Sequence, residues 1–226
     1  MKLKRLLVGG AAGAMFAVGA AAAVPAEAFP TASALEPRTL VRAQAIRGQV
    51  IARYRLLPGG KLTVTEATST GSVESFTLLS PDLLETRVLA ADNGIYYAIC
   101  PVRATCPYPT RRFARAAADP VPRRLALELA LRTFLETSAD VVAVSLPSPR
   151  FILFVVERTE LAREVDLPTL AKALDGDPSR ALSASLEGVV DRVTRARLFL
   201  FLGLEATPNG RDSWAGLPLW TNGSRP

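Results

Sequence analysis

The sequence predicts an α+β protein: an antiparallel β-meander, then a long amphipathic helix, a buried β-hairpin, short helices and a final core strand. Three observations predict it. Across Val121–Ser138, Arg124, Glu128, Arg132 and Glu136 recur every four residues, one stripe of alternating charge on a helix. Leu127, Ala130, Leu131 and Phe134 make the opposite face, suited to burial. The runs DVVAVSL and FILFVVE, joined by PSPR, are apolar without alternation and too short for helices, so they read as a hairpin covered on both faces. Between residues 49 and 100 the apolar period is two, broken by turn residues, which reads as strands in succession.

The chain opens with a three-part secretory leader over residues 1–28. Lys2, Lys4 and Arg5 form its charged start, Leu6 to Val24 its apolar middle, and Ala26-Glu27-Ala28 a small-x-small cleavage site. Cleavage before Phe29 is the expectation, and retention as an N-terminal membrane anchor is the alternative. The Ala/Gly-rich middle is weakly hydrophobic and ends at Pro25, which favours cleavage. Export then sets the frame: a secreted or extracytoplasmic protein.

Residues 29–48 suit one helix, with Pro37 near its start and Gly48 as its stop. From Gln49, Val50, Ala52, Tyr54 and Leu56 alternate with Arg53 and Arg55, the pattern of a first strand. Pro58-Gly59-Gly60 turns the chain into LTVT, and VESFTLL makes a third strand. ETRVLAA and IYYAIC flank Asp92-Asn93-Gly94, a hairpin signal, and complete the meander over 49–100.

Cys100 and Cys106 close the meander in CPVRATC. The spacing is wrong for a CxxC redox pair, and one pair makes no zinc site, so a disulfide is the expectation in an exported chain. It would pin the Pro- and Arg-rich connection 101–120. Arg103, Arg111, Arg112, Arg115, Arg123 and Arg124 fall in that neighbourhood, relieved only by Asp119. Arg103, Arg111, Arg112 and Arg115 are the candidate anion-binding set, against the plainer alternative of a solvated loop.

The α+β core is expected over 121–205. After the hairpin, Thr159 and Asp166 are candidate caps of short helices. Asp175-Gly176-Asp177 resembles the start of a calcium loop, but Arg180 stands at the glycine position and Leu186 where the bidentate Glu belongs. Asp177 before Pro178 reads instead as a helix cap. A helix to about Arg195 follows, then RLFLFLGLE as the last core strand. Residues 206–226 read as a Gly/Pro/Trp tail whose Trp214 and Trp220 either plug the core's edge or form a binding surface.

The full chain of 226 residues is 49% apolar and carries 27 basic and 21 acidic side chains. Setting aside the leader's three basic residues and one acidic residue leaves 24 and 20, a net +4. There is no histidine, which removes Ser-His-Asp and Cys-His catalysis, a histidine base and the usual zinc sites. No GxSxG, GxGxxG or P-loop occurs. The expectation is therefore an exported, non-catalytic binding protein without cofactor or metal. Its partner would be an anionic envelope polymer or lipid head groups, not nucleic acid. Two alternatives stand beside it. One is a carrier of an apolar ligand held between the sheet and the 121–138 helix. The other is a histidine-free hydrolase using paired carboxylates such as Glu157/Glu160 or Asp175/Asp177.

Overall fold

A computed structural model describes residues 36–54, 62–71, 73–79, 86–101, 120–148, 151–178, 180–206 and 211–219. The leader, Cys106, Arg103, Arg111, Arg112, Arg115 and Trp220 lie outside these residues. The fold is α+β, with a mostly antiparallel sheet, as the apolar patterning implies.

Helix α1 (Pro37–Tyr54) comes first and runs straight through Gly48 into the segment expected as a strand. The correction has a simple cause. Val50 and Tyr54 are four apart, so they satisfy a period of two and a helical period equally well. Ala43 and Ile46 decide between them, because with Val50 and Tyr54 they form one buried face at steps of three and four. Gly48 lies on the exposed side, where a Cβ would meet nothing.

Strands β1 (Leu62–Ser69), β2 (Val73–Leu79), β3 (Thr86–Ala90) and β4 (Gly94–Pro101) follow. Then come α2 (Pro120–Glu136), β5 (Val141–Leu146), β6 (Ile152–Glu157), α3 (Arg158–Glu164), α4 (Leu167–Leu174), α5 (Ala184–Arg195), β7 (Leu198–Ala206) and β8 (Asp212–Pro218). The eight strands among the described residues belong to one sheet in the order β1-β4-β5-β6-β7-β8-β2-β3. Chain neighbours β1 and β2 thus lie far apart in the sheet: β1 pairs with β4, while the β2–β3 hairpin is attached in parallel to β8. Asp92-Asn93-Gly94 does turn the chain, but it joins β3 to β4, which do not pair. Asn93 is held there by donating to Ser138 O at 2.6 Å and Asp140 Oδ2 at 2.7 Å. A side chain at Gly94 would collide with the Thr70 hydroxyl.

The sheet is folded back on itself. Tyr96 on β4 and Trp214 on β8 are four strand steps apart in the sheet order, about 19 Å at the usual spacing in a flat sheet. Their ring centroids are 5.6 Å apart. At the other end of the same fold, Arg87 on β3 donates to Glu157 on β6 at 2.8 Å. This folding supplies the two covers that the central hairpin's composition requires. Val142, Val144, Phe154 and Val156 pack into the core shared with α1 and α2. Val141, Ala143, Leu153 and Val155 face a second core made with Phe76, Leu78, Leu89 and Phe199. Alternate residues therefore enter different cores, and both are dry.

Several local expectations change. The charged stripe of α2 is not a solvent-facing ridge: Glu128 is 1% exposed and Arg124 is 7% exposed, because α1, α4 and α5 pack around the helix. A helix apolar on nearly all sides is covered on all sides. Thr159 is not a cap, since α3 starts after Glu157 with no side-chain cap bond, whereas Asp166 caps α4 by accepting from the Thr169 amide at 2.9 Å. Asp177 does not begin a helix; Ser183 caps α5 instead, accepting from the Leu186 amide at 3.3 Å. Within the expected tail, Asp212–Pro218 forms β8, and Trp214 contacts Phe76, Tyr96, Phe151 and Phe201 edge-on. Among the described residues, no helix is long and apolar enough to cross a membrane.

Candidate functional site

The end of α1, the first turn of α2, the segment between α4 and α5, and α5 itself enclose a groove of about 700 Å³. Its charged lining is Arg123, Arg124, Arg180 and Arg195 against Glu187 and Asp191. Arg123 and Arg124 close the basic run picked out in the sequence, and both end up buried. They also occupy the wrong end of a helix for cations. The N-terminal turn of α2 holds no acidic residue, although its dipole favours one. That is the signal by which the sequence could have revealed the site.

The two neighbours are used differently. Arg123, 4% exposed, donates to Asp191 Oδ1 at 2.5 Å and to Thr194 Oγ1 at 3.3 Å, tying α2 to α5. Arg195 Nε reaches the same Asp191 oxygen at 2.8 Å. Burial by itself would raise the Asp191 carboxyl, but hydrogen bonds from Arg123 and Arg195 outweigh it and hold the group below its ordinary range.

Arg124 has no carboxylate partner among the described residues. Its fixed contacts are two long ones, from one terminal nitrogen to Pro178 O and Arg180 O, each at 3.4 Å. Its Nε is buried without a hydrogen-bond partner among the described residues. Glu128, one turn along the same stripe, does not reach it. That carboxylate is engaged by Arg53 and by Arg132, whose Nε lies 3.2 Å away. Arg53 and Arg132 also converge on Asp175.

Tyr54, the last residue of α1, stands beside Arg124 in the groove wall. It is 1% exposed and its buried hydroxyl has no hydrogen-bond partner among the described residues. Burial pushes the phenol up to about 12 although the charges of Arg124 and Arg53 pull the other way. It is therefore a neutral O–H at physiological pH. The Arg124 Nε and the Tyr54 hydroxyl are thus both buried, without acceptors among the described residues, within side chains of the groove wall. Neither group is a base or nucleophile activated for chemistry.

The other residues singled out in the sequence fall elsewhere. Cys100 is buried near the end of β4 with Sγ 3.4 Å from the Thr65 hydroxyl, and its expected partner Cys106 is outside the described residues, as are Arg103, Arg111, Arg112 and Arg115. Glu157 and Glu160 both pair with Arg87, at 2.8 Å each, and Asp175 is held by Arg53 and Arg132, so these carboxylates are engaged in ion pairs. The interface between α2 and the sheet is filled by Ile95, Tyr97, Leu131, Phe134 and Phe154, all nearly or wholly buried. The open volume lies at the other side of the first turn of α2. No protein-family model, curated protein or solved structure matches this chain.

Proposed function

We propose that the chain is an exported, non-catalytic binding protein of the cell envelope or medium, which holds an anionic group of an envelope polymer or lipid. The observation that carries the reading is Arg124, a buried arginine in the wall of a groove, with no carboxylate partner among the described residues. Burying an unpaired charge costs several kcal/mol, roughly, and a group kept at that cost is accounted for by a ligand that pairs with it. The three-part leader supports export, and a Cys100–Cys106 bridge fits an oxidising compartment. Arg103, Arg111, Arg112 and Arg115 would add a salt-sensitive approach to an anionic surface.

The test is co-sedimentation of the purified protein with anionic and with zwitterionic vesicles, at low and high salt, and with an anionic cell-wall polymer. Retention on anionic material that falls with salt is expected. Equal retention on zwitterionic vesicles, or none on any anionic material, overturns the reading. On the same sample, N-terminal sequencing should start near Phe29, and thiol labelling of unfolded, unreduced protein should find no free sulfhydryl.

A further inference from the structure

We infer that the open edge of β3 pairs with β3 of a second copy of this chain, antiparallel about a two-fold axis at Val88, and joins the two sheets into one. The inference goes beyond the binding-protein reading and does not depend on it.

The register of the β2–β3 hairpin fixes which backbone groups face outwards. The Ala91 amide donates to Glu74 O at 2.9 Å, so Glu74 and Ala91 are a hydrogen-bonded pair of the antiparallel ladder. Bonded pairs alternate with non-bonded ones, which gives Phe76–Leu89 and Leu78–Arg87 the bonded positions. Thr86, Val88 and Ala90 therefore turn their N–H and C=O groups away from β2, to a side on which no described strand pairs with them. The same three residues are exposed, Val88 to 62%, whereas Leu89 between them is buried in the second core.

The two edges of the sheet are treated differently. On β1 the ladder is interrupted by a bulge between Val64 and Glu66, the Thr65 carbonyl is taken by Arg47 at 3.1 Å, and Glu66 puts an exposed charge on the strand. Such features keep an edge from adding another strand. β3 has none of them. It holds neither a proline nor a bulge, and its one charged residue, Arg87, is drawn to Glu157 and Glu160 at 2.8 Å each. The row left facing solvent is Thr86, Val88 and Ala90, which carries no charge.

A second β3 fits this row. Three outward-facing residues centred on Val88 are symmetric under a two-fold axis: Val88 meets its own copy, and Thr86 meets Ala90 of the partner subunit in both directions. These are hydrogen-bonded positions, so about six backbone bonds close the pairing. No like charges stand opposite each other in it. Behind the row, the Ser75 and Thr77 hydroxyls of β2 bond to that of Ser213 on β8, at 3.0 and 3.1 Å, so these neighbouring hydroxyls are already paired with one another. A strand of 5 residues buries less than the roughly 1,200 Å² at which stable interfaces begin, so the dimer is weak and grows with concentration.

The experiment is sedimentation velocity of the purified protein from about 1 to about 500 µM, a span that covers weak homodimers. Wild type should pass from monomer to dimer across it. Val88→Lys sets two ammonium groups opposite each other at the axis and should weaken dimerisation by about tenfold or more. At the lowest concentration its melt should match wild type, because Val88 is exposed in the single copy. Val88→Cys, mildly oxidised at the highest concentration, should give a disulfide-linked dimer that wild type does not. Val41→Lys adds the same charge at a residue of α1 that is 66% exposed and should leave dimerisation unchanged. Undiminished dimerisation by Val88→Lys, an equal loss in Val41→Lys, or no linked dimer from Val88→Cys overturns the inference. A marked fall in the dilute melt of Val88→Lys also overturns it, since Val88 would then be held within one copy. So does a wild type that stays monomeric throughout; if that monomer takes up an extended peptide instead, the edge belongs to another protein.

Discussion

Arg123 donates to Asp191 across 2.5 Å, and with its bond to Thr194 this contact fastens the first turn of α2 to α5. Arg195 shares the acceptor at 2.8 Å. Burial opposes ionisation of Asp191, but the two guanidinium bonds prevail, so its folded pKa lies below the ordinary 3.8. A depressed carboxylate contributes stability that is fully present above its unfolded value and is lost as pH falls through the folded one. Asp191→Asn should therefore be less stable than wild type at neutral pH, with the gap closing as pH falls from about 5 to about 2. Urea unfolding across that interval checks it. A gap that stays constant with pH would mean that the bond's charge contributes nothing.

Gly48 offers a cleaner stability test, because it stands in the interior of α1 with its α-carbon facing open space. Gly48→Ala reduces the freedom of the unfolded chain and clashes with nothing in the folded one. A gain of about 0.5–1 kcal/mol is expected, read as a higher urea midpoint with an unchanged slope. A loss would show that the helix does not run through residue 48.

Trp214 is the hub of the aromatic cluster inside the folded sheet, with Phe76 and Tyr96 at centroid distances of 5.6 Å and Phe201 at 5.4 Å. These partners come from β2, β4 and the β6–β7 side, so the ring joins the two halves of the sheet. Trp214→Ala should cost about 3 kcal/mol, with Trp214→Phe recovering more than half, since most of the loss is a cavity. Chemical denaturation measures both. A cost below about 1 kcal/mol for the alanine variant would show that the layers hold without this ring.

What the sequence made legible was whatever depends on nearby residues. The runs 141–146 and 152–157 lack alternation, and that alone required cover on both faces. Which segments supply the cover was not legible, because Phe76 and Leu89 reach Leu153 only after the sheet doubles over. The first turn after β3 was visible in Asp92-Asn93-Gly94; its strands pair elsewhere because turn chemistry fixes a change of direction, not a partner. Arg124 shows the same limit at the candidate site. Its place on a charged stripe was plain from a spacing of four. Its burial was not, since the elements that enclose it, α1 on one side of it in the chain and α4 and α5 on the other, all lie more than forty residues away in sequence.

The same stripe yields the most demanding test of the buried electrostatics. Glu128 is 1% exposed and is shared by Arg53 from α1 and Arg132 from α2, while both arginines also meet Asp175 at the end of α4. The two acids and two arginines form a box that joins three helices. Truncating Glu128 leaves Arg53 with Asp175 alone, while Arg132 keeps Asp175 and, at 3.9 Å, Glu136. Arg53 already feels desolvation, since burial is the leading cause that lowers its pKa. Glu128→Ala should then cost about 2–3 kcal/mol, less than for a wholly buried pair because both arginines are partly exposed and keep other acids, with part of it from the charge left behind. The double variant Glu128→Leu/Arg53→Met separates the two contributions. It leaves one arginine with one acid and fills the space with apolar atoms, so it should recover at least half of the loss. Additive or worse destabilisation in the double variant, measured by urea unfolding at neutral pH, would show that Arg53 and Glu128 act independently and that the box is a crowding of charges with no energetic coupling.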